Sequence, residues 1–205
     1  MKIILPNRKP NRMKDYDYSN DNLYFVTSCV HDRVCCFGHI IRTGRDPSLQ
    51  YGDNKSDVSD CDPSEKQIIL NEYGKIAENQ WVWLAKQYPY VILHEYVIMP
   101  NHMHGIIEIT SSRIDGIGSD IGTGHDLSLQ SIKIKSISEL MGAYKTTTSN
   151  KIHLIGFDEF KWQRSFHDHI IRDKKSYDQI TKYIINNPEN WKDDEFFNSV
   201  LKSIQ

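Results

Sequence analysis

Two histidines, His102 and His104, stand two residues apart in the stretch YVIMPNHMHGIIEI (96–109), between β-branched and apolar runs. In a strand, residues i and i+2 share a face, so both imidazoles emerge on one side. Met103 then points the opposite way, into a core. Neutral imidazole is the commonest transition-metal ligand. Two on one strand face can hold a single ion and leave coordination positions open to substrate oxygens. Two histidines on a solvent-facing edge would show the same spacing, and the motif alone leaves both readings open.

A second pair, His167 and His169, flanks Asp168. On a strand, Asp168 would face away from the histidines, a poor fit to a core. This pair therefore reads as structural, with Asp168 orienting His169 or accepting a backbone donor. Further along, KYIINNP places Tyr183 and Asn187 four residues apart, which stacks them on one helical face. A phenol is a weak nucleophile at its ordinary pKa near 10, yet a phosphodiester polarised by a metal brings attack within reach. The Asn187 carbonyl oxygen is a hard ligand of the kind Mg²⁺ and Mn²⁺ accept. The plain alternative for Tyr183 is an amphipathic packing residue beside apolar Ile180 and Ile184.

The elements that position these residues follow from periodicity. LYFVTSCV (23–30) alternates and reads as a strand. KQIILNEYGKIAENQWVWLAKQY (66–88) has a helical apolar period that Pro89 ends. YVILHEYVIMP (90–100) and HMHGIIEI (102–109) read as a hairpin turning at Pro100–Asn101. KSISELMGAYKTTTSN (135–150) is a helix that opens on a capping box, Ser136 and Glu139. KWQRSFHDHII (161–171) is strand-like, and the helix over 173–188 stops at Pro188. The order β-α-β-β-α-β-α predicts an α+β domain, an antiparallel sheet with helices packed on it. Trp81, Trp83 and Trp162 are as compatible with core as with base stacking.

The chain has 205 residues, 39% hydrophobic and 25% charged, which suits one generous domain over 1–205. Its apolar runs are far shorter than a membrane span. Pro6 and the basic residues after it cut off the apolar start MKIILP, so no signal peptide is expected. Cys29, Cys35, Cys36 and Cys61 form no CxxC pair, pointing to reduced thiols and a cytoplasmic location. Two stretches, 42–66 and 111–131, are rich in Asp, Ser and Gly and read as mobile insertions. The net charge of −2 is uneven, because each insertion carries −2 while the first 14 residues hold five bases and no acid. Arg8, Lys9 and Arg12 in that arm are candidates for DNA phosphate contacts, although a solvated tail has the same composition.

Four blocks, YFVTSCVHDR (24–33), VIMPNHMHGII (97–107), WQRSFHDHIIRD (162–173) and YIINNP (183–188), fall in an order that resembles the HUH single-tyrosine transposases. The resemblance is strongest to the REP-associated tyrosine transposases and their insertion-sequence relatives. It implies a ferredoxin-like antiparallel sheet with helices packed on one face. It implies His102 and His104 as the metal pair, Tyr183 as nucleophile, Asn187 as a further ligand, and Lys145 at a helix position touching the DNA backbone. The expected cofactor is a divalent metal, Mg²⁺ or Mn²⁺, and the expected partner is single-stranded or hairpin DNA. The expected reaction cuts and rejoins DNA through a 5′-phosphotyrosine link, in a monomer or homodimer. The acidic insertions depart from the family's pattern. Two other functions remain compatible with the residues: a non-catalytic hairpin-binding descendant, and an unrelated metallohydrolase built on the H-x-H pair.

Overall fold

The computed structural model describes residues 16–42, 66–115, 133–194 and 196–197. Along the chain run β1 (Asn22–Cys29), β2 (Gly38–Arg42), β3 (Lys66–Leu70), α1 (Glu72–Gln87), β4 (Val91–Ile98) and β5 (His102–Ile109). A one-turn α2 (Ser112–Asp115), α3 (Ile137–Leu154), β6 (His167–Ile171) and α4 (Lys174–Ile185) follow. No helix among the described residues is long and apolar enough to cross a membrane.

The fold is α+β. A four-stranded sheet runs in the order β4-β5-β1-β6 with every neighbouring pair antiparallel. The strand carrying the H-x-H pair is thus an interior strand, not an edge. Its period of two divides the chemistry cleanly. Met103, Ile107 and Ile109 point into the main core with Tyr24 and Val26 of β1, beneath α1 and α3. Ile106 points to the other face, where it packs with Ile171 and Ile184 under α4. His102 and His104 share that second face. Gly105, on the opposite face from the histidines, has no room for a side chain. A Cβ there would lie 2.6 Å from the Trp81 ring, which is itself fully buried.

Local signals explain the helices. Ala77, Trp81 and Leu84 form the buried stripe of α1, and the Asn71 side chain accepts from the Gly74 N–H to start it. The Ser136–Glu139 capping box forms in both directions and starts α3. Asp173 caps α4 through the Ser176 N–H.

Two boundaries and one helix placement differ from the sequence reading. Residues 66–70 are a strand, not the first turn of a helix: Ile68 and Ile69 pair with Ile40 and His39 in a two-stranded ribbon. β-branched residues lose rotamer freedom in a helix and fit this pleat better, and the Asn71 cap marks where the helix begins. The strand expected over 161–171 narrows to His167–Ile171, with Trp162 making only an isolated bridge to Val30. The third long helix, α4, lies on the sheet face opposite α1 and α3, so helices cover both faces rather than one. Of the two insertions, 43–65 and 116–131 lie outside the described residues, while Arg42 and Lys66 belong to the ribbon and 112–115 to α2.

Candidate metal and tyrosine site

His102 and His104 are fully buried, at 0% and 1% exposure. Their Nε2 atoms face each other at 3.0 Å. The outer nitrogens are both engaged: His102 Nδ1 lies 2.8 Å from Asn101 Oδ1, and His104 Nδ1 lies 2.7 Å from Thr27 Oγ1. The second contact follows from register, since Thr27 of β1 stands opposite His104 of β5. Aromatic rings wall the pair. Phe25 stacks on His104 at 5.4 Å, Phe196 sits 4.8 Å from His102, and Trp191 flanks His102 at 5.9 Å. Burial holds the His104 pKa down to about 3. Burial, then the neighbouring His104 and Arg33, keep that of His102 well below its usual value. Both imidazoles are therefore neutral at pH 7, which is the form that ligates metals.

α4 delivers Tyr183 to the same place. Its Ile180 and Ile184 side is held against the sheet, which turns the phenol toward β5. Tyr183 Oη lies 3.2 Å from His104 Nε2, and its ring meets His104 edge-on with 43% of the residue still exposed. One turn further on, Asn187 is buried, and its Nδ2 donates to Asp194 Oδ2 at 3.1 Å. Asn187 Oδ1 is buried with no hydrogen-bond partner. Such an atom costs on the order of 1–3 kcal/mol unless something satisfies it. Ligand atoms of His102, His104 and Asp194 lie within 4.8 Å of one another. Tyr183, His104, Asn187, Asp194 and Phe196 line one cavity of about 610 Å³, with His167 on its rim. Two neutral imidazole nitrogens, a carboxylate and an orphaned amide oxygen form a donor set that fits a divalent metal ion.

Of the remaining sequence candidates among the described residues, His167 lines this cavity, whereas His169 and Lys145 do not. His167 and His169 lie on the edge strand β6, both exposed, and Asp168 turns to the other face beside Val26. Lys145 Nζ donates to the carbonyls of Gln163 and Ser165 at 2.7 and 3.1 Å and stands 5.9 Å from the Phe166 ring, and burial lowers its pKa to about 8. Its ammonium thus braces the segment entering β6. Arg8, Lys9 and Arg12 lie outside the described residues. Sequence reasoning missed Thr27, Asn101, Asp194 and Phe196. Only Asp194 left a signal, the acid–aromatic run WKDDEFF (191–197) just past the helix stop at Pro188.

No family model matches the chain. Among solved structures, that of a REP-associated tyrosine transposase bound to a REP hairpin is similar, at 17% identity and a TM-score of 0.46. That match covers 89% of this chain and 74% of the other. An uncharacterized protein of Haemophilus influenzae is 34% identical over 197 residues, covering 93% of each chain. A shared sequence over that length makes this chain a member of the same family as the Haemophilus influenzae protein.

Proposed function

We propose that the chain is a divalent-metal-dependent single-stranded DNA endonuclease and strand transferase, a transposase acting at hairpin-forming sites, with Tyr183 as its nucleophile. The observation that carries this reading is the approach of the Tyr183 hydroxyl to 3.2 Å from His104 Nε2, beside a buried pair of neutral imidazoles. A phenol poised at a nitrogen and oxygen donor set is what tyrosine attack on a phosphodiester needs. A helical packing tyrosine would not need its hydroxyl there.

A bound Mg²⁺ or Mn²⁺ would polarise the scissile phosphate and offset the charge that develops on it. His102, His104 and Asp194 would hold it, with the orphaned oxygen of Asn187 as a further donor. Tyr183 Oη attacks phosphorus, the bond from phosphorus to the 3′-oxygen breaks, and a 5′-phosphotyrosine forms. The phenol proton is lost as that bond forms and the departing 3′-oxygen takes one up, so no net proton is consumed. The ester link preserves the phosphodiester's bond energy, and a new 3′-hydroxyl can reverse the step onto another strand. Phe25, Phe196 and Trp191 keep the pair shielded from bulk water, which strengthens each charge interaction. Phosphate contacts from Arg8, Lys9 and Arg12 would anchor the DNA outside the reacting centre.

The test is a covalent one. A labelled hairpin oligonucleotide incubated with protein and Mn²⁺ should yield an SDS-resistant adduct that chelator prevents and Tyr183→Phe abolishes, with binding retained. An adduct that survives Tyr183→Phe moves the nucleophile to another residue, Tyr177 first. Binding by the intact protein without any adduct favours a hairpin-binding descendant that cuts nothing.

A further inference from the structure

We infer that Asn101 is a positioning residue that holds His102 in the tautomer with its proton on Nδ1 and its lone pair on Nε2, an inference that rests on reading His102 as a metal ligand. Asn101 is fully buried in the turn between β4 and β5. Its Nδ2 donates to the carbonyl of Arg33 at 3.0 Å and to the carbonyl of Phe196 at 2.9 Å. Carbonyl oxygens only accept, so both must meet the amide's NH₂ end, and the flip of this amide is decided by its partners. The opposite end, Oδ1, stands 2.8 Å from His102 Nδ1. An amide oxygen also only accepts, so Nδ1 carries the proton. A neutral imidazole has one such proton, which leaves Nε2 as a bare lone pair directed into the site.

His104 is set differently. Its Nδ1 meets the Thr27 hydroxyl at 2.7 Å, a group that donates or accepts by rotating. His102 Nε2 and His104 Nε2 are 3.0 Å apart, and two bare lone pairs would repel at that distance. The contact therefore requires a proton on His104 Nε2 or a cation between the rings. Without metal, His104 donates from Nε2 and Thr27 donates to His104 Nδ1. With metal, the His104 proton sits on Nδ1 and the Thr27 hydroxyl accepts it, with no net proton taken up or released. His102 is the preset ligand and His104 the adjustable one. The two carbonyls that fix Asn101 come from the segment after β1 and from Phe196, so this ligand's tautomer depends on chain segments distant in sequence.

Nitrogen-15 NMR of histidine-labelled protein in chelator tests this without metal. The expected result is His102 protonated at Nδ1 and bare at Nε2, and a His102 proton on Nε2 overturns the inference. Asn101→Ala should shift His102 toward the other tautomer and weaken Mn²⁺ binding in calorimetry by roughly 10–100-fold, the usual range for loss of a group that orients a ligand. Asn101→Asp keeps the acceptor and should keep the wild-type tautomer even where stability falls. A folded Asn101→Ala variant with wild-type tautomer and wild-type Mn²⁺ affinity refutes the role. If His102 shows the expected tautomer but wild-type protein binds no Mn²⁺, it is the metal reading that fails.

Discussion

Burying two histidines under a helix predicts a specific dependence of stability on pH. His104 is held neutral down to about pH 3 by burial, whereas an unfolded histidine titrates near 6.5. Below pH 6.5 the unfolded chain binds a proton at this residue that the folded chain refuses. More protons on the unfolded side mean that stability falls as pH falls. The slope is about 1.4 kcal/mol per pH unit for one such group. Between pH 6.5 and 4.5 His104 alone should remove about 2 kcal/mol, because the full slope is reached only below the unfolded pKa, and that is a substantial share of a typical 5–15 kcal/mol total. His102 shifts in the same direction and adds to the loss. The assay is urea unfolding in chelator at half-unit pH steps, comparing wild type with His104→Gln. The substitution removes one titrating group, so the difference between the two curves isolates it from carboxylates that titrate lower. The wild-type slope should exceed the variant's by about 1 kcal/mol per unit between pH 6 and 4.5. Parallel curves would show that His104 charges in the folded state, and the buried-pair geometry would be wrong.

Three further outcomes follow from the packing and the site. Gly105→Ala drives a methyl to 2.6 Å from the buried Trp81 ring, and denaturant unfolding should show a loss of about 1–3 kcal/mol; unchanged stability would mean that β5 does not lie against α1 as described. Ser136→Ala removes the reciprocal cap of α3 and should cost about 1 kcal/mol in the same assay, with no effect on metal binding. Asp194→Asn keeps the size of the side chain but removes its charge, and calorimetric Mn²⁺ affinity should fall by about tenfold or more. An unaltered affinity would leave the ion to His102, His104 and Asn187 without Asp194.

Much of the frame was readable from local pattern. Alternation marked β1, the Pro100–Asn101 turn marked the hairpin of β4 and β5, and the Ser136–Glu139 spacing marked the start of α3, because each signal is produced by neighbours along the chain. The errors came where a local pattern served two masters. Residues 66–70 continue the apolar rhythm of the helix after them, and only pairing with residues 38–42 makes them a strand. α4 carries an apolar side legible from Ile180 and Ile184, but the face of the sheet that receives it is not written in that side.

The H-x-H spacing determined by itself that His102 and His104 share a face and that Met103 takes the other, because side chains in a strand alternate. It could not determine whether that face meets water. The tertiary structure decided this by making β5 an interior strand and laying α4, Trp191 and Phe196 over it. Thr27, Asn101, Tyr183, Asn187 and Asp194 then converge on two imidazoles from four separate stretches of chain. Burial and convergence are properties of many distant residues at once, so they appear only when the chain is folded.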